Sequence, residues 1–133
     1  MTHHQLQFGW KNICVKKGEI SGSLAFSEDA PYIRGHFVNN PIVPGAILAK
    51  ALQDLAYMLS KEENLEPCKI LKIEKCMFRN PVYPNQTIFA TINVKNNSQN
   101  TIVFHFETSC EEKLVMTGVF TFFREDRDSV SCE

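Results

Sequence analysis

GAILAKALQDLAYMLSK, residues 45 to 61, is apolar on nearly every side of the helix it encodes. Ile47, Leu48, Ala51, Leu52, Leu55, Ala56, Met58 and Leu59 recur at helical spacing and spread round most of the circumference. A helix with so little polar surface belongs inside a protein. Pro44 suits a first-turn position, where its missing N–H has no intrahelical acceptor to satisfy, and KEEN after Ser60 reads as the polar exit.

The rest of the chain reads as strands. Residues 6 to 16 and 19 to 26 flank Lys17-Gly18, a hairpin with a glycine turn. Residues 69 to 79, 87 to 95, 101 to 110 and 113 to 123 are rich in Ile, Val, Phe and Thr, with frequent alternation at period two. The joints NPVYPNQ, NNSQN and EE are short, which predicts an antiparallel meander at the end of the chain. About six strands and one apolar helix are packed most simply as a strongly curved antiparallel sheet wrapped round the helix, an α+β arrangement. Residues 1–133 then form a single domain, with the charged segment 124–133 a frayed tail. Such a sheet leaves edges and helix ends exposed, which predicts pairing with a second copy.

Composition narrows the function. The 133 residues carry 44% hydrophobic and 22% charged side chains and a formal charge of -1. No basic excess is present to attract a phosphate backbone, so nucleic acid is not an expected partner. No uninterrupted apolar segment reads as a signal or a membrane span; Lys50, Gln53 and Asp54 break the longest candidate. The five cysteines never form a CxxC pair, which fits reduced thiols in a cytoplasmic protein and neither a disulfide framework nor a zinc site. No metal is expected.

Immediately before and into the helix lies GHFVNNPIVPGAILAK, residues 35 to 50. Gly35, Asn39, Asn40, Pro41, Pro44 and Gly45 are all turn or helix-start residues, and a lone histidine beside them is commonly structural. Chemistry offers a second account. A helix start presents unpaired N–H groups and the positive end of the dipole, so Gly45 can donate to a carbonyl oxygen as negative charge grows on it. His36 can remove a proton from the carbon next to that carbonyl near neutral pH. Those are the parts for enolate chemistry on a thioester.

G-H-F-x-x-x-P-x-x-P-G followed by an apolar helix resembles the signature of the β-hydroxyacyl-acyl carrier protein dehydratases of the FabZ and FabA type, which have the hot-dog fold. MFRNPVYPNQTIF, residues 77 to 89, resembles that family's F-R-x-P-V-x-P-G-D-x-L segment, and LVMTGVFTF resembles its closing strand. The resemblance runs from about residue 32 to 123 and implies a central helix wrapped by the sheet and paired into a dimer, or a trimer of dimers. It implies dehydration of a 3-hydroxyacyl thioester in fatty-acid or related lipid or polyketide synthesis. Acyl carrier protein or an acyl-CoA thioester is the implied partner, and no cofactor is implied beyond the phosphopantetheine that carries the substrate. By position it makes His36 the base and the Gly45 amide the carbonyl donor. The resemblance also implies that the Ile42 carbonyl orients the imidazole and that Phe37 and Pro44 border the substrate.

The pattern breaks at one place. The family's acid stands on the helix fourteen positions after the histidine and comes from the other subunit; here that position is Lys50. A protonated Lys also donates, but it sets a cation beside His36 and disfavours the imidazolium. Asp54 follows at i+4, where the two can pair on one face. Either a desolvated Lys50 is the donor, or Asp54 supplies a carboxylate as in hot-dog thioesterases, or catalysis is lost and the chain binds acyl groups or carrier protein, alone or as half of a heterodimer. Val38 and Asn85 replace a proline and a turn glycine of the pattern, and the PHR-type opening of many FabZ proteins is missing from residues 1 to 31, which suggests a specialised relative. Among weaker candidates, His105 points outward, and His3 and His4 have no ligand spacing. Lys69, Lys72, Lys75 and Arg79 are candidates for a basic patch facing acyl carrier protein. Phe78, Phe89, Phe104, Phe106, Phe120, Phe122 and Phe123 are expected mostly in the core, some lining an acyl tunnel.

Overall fold

The computed structural model describes residues 8–27, 42–63 and 68–124. Six strands and one helix follow in the order β1 (Lys11–Lys16), β2 (Glu19–Ala25), α1 (Gly45–Glu62), β3 (Cys68–Phe78), β4 (Thr87–Asn97), β5 (Thr101–Cys110) and β6 (Lys113–Arg124). The strands form one antiparallel sheet in the order β1-β2-β4-β5-β6-β3. The predicted meander is β4-β5-β6. β3 lies on the far side of β6 and so becomes one edge of the sheet, with β1 the other.

Alternation decides which face holds the core. Along β5, Ile102, Phe104, Phe106, Thr108 and Cys110 are buried while His105 and Glu107 are exposed. Register carries the same face across the sheet: Ile92 opposes Phe106, Phe104 opposes Phe120, and Ile102 opposes Phe122. The Phe106 and Phe120 rings stack with centroids 4.5 Å apart, and Phe104 meets Phe122 edge-on at 5.1 Å. Gly118 makes this packing possible, because a Cβ there would lie 2.8 Å from Cε2 of Phe106. Over this face lies α1, whose Leu48, Ala51, Leu52, Leu55, Ala56 and Leu59 are buried. The outward line Ala46, Lys50, Lys61 keeps the helix from being buried all round.

Two connections fix the helix. The Trp10 indole Nε1–H donates to the Ala51 carbonyl at 2.9 Å. At the other end, the Gly18 N–H in the β1–β2 turn donates to Glu63 Oε2 at 3.0 Å. Gly18 has φ +73, the left-handed conformation the hairpin requires. β1 begins at Lys11; of the predicted start at residue 6, residues 6 and 7 lie outside the described part, and Phe8 and Trp10, 5% and 7% exposed, turn inward ahead of the strand. The last joint is tight: Glu111 and Glu112 both have positive φ, 51° and 67°, as a type I′ hairpin turn demands. No helix among the described residues is long and apolar enough to cross a membrane.

Candidate active site

The helix start is held from outside. Pro44 stands at the N-cap with ψ 144°, one residue earlier than the predicted first-turn position. The pyrrolidine ring holds φ at -62° and leaves no N–H to be matched, and the extended ψ keeps Pro44 outside the helix proper. The Pro44 carbonyl accepts from the Ile47 N–H at 3.0 Å and the Leu48 N–H at 3.1 Å. Among the described residues no side chain caps the helix start, and no acidic residue occupies its first turn. The Gly45 and Ala46 N–H groups therefore have no backbone or side-chain acceptor among the described residues. An electron-rich oxygen placed there meets two donors and the positive end of the helix dipole.

The second motif segment is packed against this start. The Val43 N–H donates to the Val82 carbonyl at 2.7 Å, joining the residue before Pro44 to the NPVYPNQ joint. That joint is itself anchored. Arg79 N–H donates to the Val115 carbonyl at 2.8 Å, Asn80 Nδ2 to the Leu114 carbonyl at 2.6 Å, and Asn85 N–H to the Phe26 carbonyl at 2.7 Å. Asn85, which replaces a turn glycine, has φ 73° and so takes the left-handed conformation its residue type tolerates. Phe78 completes the contact. A Cβ on Gly45 would lie 2.8 Å from its Cε1 and 3.2 Å from its Cε2. Two stretches more than thirty residues apart in sequence thus meet at one helix end.

His36 and Phe37 lie outside the described residues. Ile42 and Pro44 are half-buried beside Gly45. Lys50 and Asp54 differ sharply: Lys50 is exposed, whereas Asp54 is 2% exposed. Four residues advance a helix by about 40° beyond a full turn, enough to carry Asp54 towards the sheet while Lys50 stays on the outward line. No ion pair joins them among the described residues. Among the described residues nothing buries Lys50 as a desolvated donor requires.

Sequence reasoning grouped Phe78 with the core aromatics, and it is 55% exposed. The available signal was its place in MFRNPVYP, at the end of an edge strand. Phe104, Phe106, Phe120 and Phe122 are core as expected, whereas Phe89 and Phe123 are also exposed, 56% and 45%. Of the candidate basic patch, Lys72 is engaged by Glu74 at 3.2 Å, Lys75 is exposed in a β3 irregularity with φ 55°, and Arg79 lies 3.9 Å from the Met77 sulfur. The Lys69 side chain lies outside the described part.

One helix laid in an antiparallel six-stranded sheet, with its open N-terminus met by a proline-rich joint, defines a protein of the hot-dog class. Residues 12–119 match the ApeI-like family, ApeI dehydratase, and the chain belongs to that family. It is 33% identical over 104 residues to the 3-hydroxyacyl-[acyl-carrier-protein] dehydratase FabZ of Ehrlichia chaffeensis, spanning 77% of this chain and 72% of that enzyme. Among solved structures, a Streptococcus mutans protein bound to acetyl-CoA shares the fold with a TM-score of 0.77 at 9% identity, covering 95% of this chain and 96% of that one. The dehydratase heterocomplex ApeI:P from Xenorhabdus doucetiae superposes with a TM-score of 0.68 at 12% identity, over 97% of this chain and 90% of that one.

Proposed function

We propose that this chain interconverts a 3-hydroxyacyl thioester and the corresponding 2-enoyl thioester plus water, in the cytoplasm, on a substrate carried by acyl carrier protein or coenzyme A. One observation carries the reading: the two motif segments shared with the dehydratases converge on the open start of α1. In the dehydration direction His36 takes a proton from C2, and the electron pair moves into the thioester carbonyl. Charge growing on that oxygen is met by the Gly45 N–H. The C3–O bond then breaks, and a second group delivers a proton to the departing hydroxyl, which leaves as water.

That second group is Lys50 or Asp54. Lys50 faces outward, so it reaches a site only across a boundary with a second copy, in keeping with a homodimer. The β3 edge, which no further strand joins among the described residues, supports such pairing through Ile73 and Met77, 39% and 49% exposed. A second reading, hydrolysis of the thioester, takes Asp54, the buried carboxylate of α1, as the group that activates water.

Crotonyl-pantetheine incubated with the purified protein separates the two. Hydration without thiol release supports the dehydratase, and release of free thiol supports the thioesterase. A parent inert in both assays but active as Lys50→Glu identifies a site switched off at one position.

A further inference from the structure

Phe78 opposes Met116, which is fully buried, and so belongs to the inner face of the sheet, yet its ring is half in solvent. Its position at the end of the edge strand explains the exposure, and the helix start explains the ring's direction. Cε1 and Cε2 both press towards the space a Gly45 side chain would fill. Backbone conformation does not demand glycine at position 45, since it is helical and Gly18 is the described glycine with positive φ. The ring demands it.

A carbonyl oxygen accepting from the Gly45 N–H stands about 2.9 Å from that nitrogen. The carbons attached to it then lie beside the aromatic ring. Behind Phe78 the backbone is held by Arg79 N–H on Val115 and Asn80 Nδ2 on Leu114, so the wall yields by side-chain rotation and not by backbone movement. We propose that Phe78 is the specificity-determining residue at the carbonyl end of the acyl site, and that it admits thioesters unsubstituted at C2 and excludes those with a branch there. The proposal rests on the dehydratase reading and extends it to substrate class. One methyl group in an apolar pocket discriminates by about tenfold or more.

The test compares hydration of crotonyl-pantetheine and 2-methylcrotonyl-pantetheine by the parent, Phe78→Leu and Phe78→Ala, with thermal melting of each. A C2 methyl lowers intrinsic reactivity equally for all three proteins, so the change in the kcat/KM ratio between variants reports the pocket. The parent's preference for crotonyl is expected to fall at least about tenfold in Phe78→Ala and by an intermediate factor in Phe78→Leu. The fall is expected mainly in KM for the branched substrate, a split that a general structural defect does not produce. Folded variants that keep the parent's ratio overturn the assignment while leaving the dehydratase reading intact. A parent inactive on both substrates overturns the dehydratase reading, and the assignment with it. Should Phe78→Ala not fold, Phe78→Leu, which keeps an apolar side chain, decides alone.

Discussion

Gly45 and Gly118 make a controlled pair, because an added methyl meets a phenylalanine ring at the same 2.8 Å in both places. Their surroundings differ. At Gly118 the obstructing ring is Phe106, 3% exposed and stacked on Phe120 at 4.5 Å, with the Cys76 Cα a further 3.3 Å neighbour. Nothing there can give way. Overpacking of this kind costs about 1–3 kcal/mol, while replacing a strand glycine returns only about 0.5–1 kcal/mol. Gly118→Ala is therefore destabilised by about 1–2 kcal/mol, or roughly 3–8 °C in Tm for a domain of this size. At Gly45 the obstructing atoms are the far end of the Phe78 ring, which turns towards solvent at a cost of about 1 kcal/mol. Helix propensity gains up to about 1 kcal/mol, so the Tm of Gly45→Ala should stay within about 3 °C of the parent. Its activity should nevertheless fall about a hundredfold, because the methyl occupies the space beside the carbonyl. Calorimetric melting and crotonyl-thioester kinetics on the three proteins check both halves. A Gly118→Ala as stable as the parent, or a Gly45→Ala that unfolds as readily as Gly118→Ala, would refute the packing argument.

Three further outcomes are expected. Trp10→Phe removes the donor to the Ala51 carbonyl and should lower stability by about 1–2 kcal/mol, read from denaturant midpoints. Replacing Glu111-Glu112 by Asn-Gly relieves two strained left-handed residues and should raise stability by about 1 kcal/mol or more, read as a higher Tm; an unchanged Tm would contradict the turn assignment. Burial, with a smaller contribution from the Glu111 charge, pushes the Cys110 thiol above its ordinary value of 9.0. The fold thus favours the protonated thiol, and the stability this contributes is fully present below pH 9.0 and lost as pH rises through the folded value, because the unfolded chain ionises first. Denaturation midpoints should fall between about pH 8 and about pH 10 more steeply in the parent than in Cys110→Ala.

The helix was legible almost to the residue, since its apolar positions are dense and its polar exit abrupt: residues 45 to 61 were read and Gly45–Glu62 is helical. Strands β4 to β6 were legible for a similar reason, period-two alternation with short joints. The place of β3 was not, because nothing local tells a strand that follows a helix to pair with β6 and not with β4. The start of β1 was misplaced because it is set by an indole hydrogen bond to a helix carbonyl 41 residues away. At the site, the sequence marks which residue types gather near Gly45 but not their exposure. Lys50 and Asp54 look interchangeable on one helix face, and only the packed sheet separates an exposed cation from a buried carboxylate. Residue type places most of the phenylalanines in the core and does not mark Phe78 as an exception, which its edge position makes it.

Steady-state hydration of crotonyl-pantetheine by the parent and by His36→Ala, with melting curves for both, tests the central claim most directly. The account predicts a parent that hydrates the enoyl thioester and a His36→Ala that melts with it but is slower by at least about a hundredfold, the usual contribution of a positioned general base. An inert parent, or a His36→Ala protein with the parent's full rate, would contradict it.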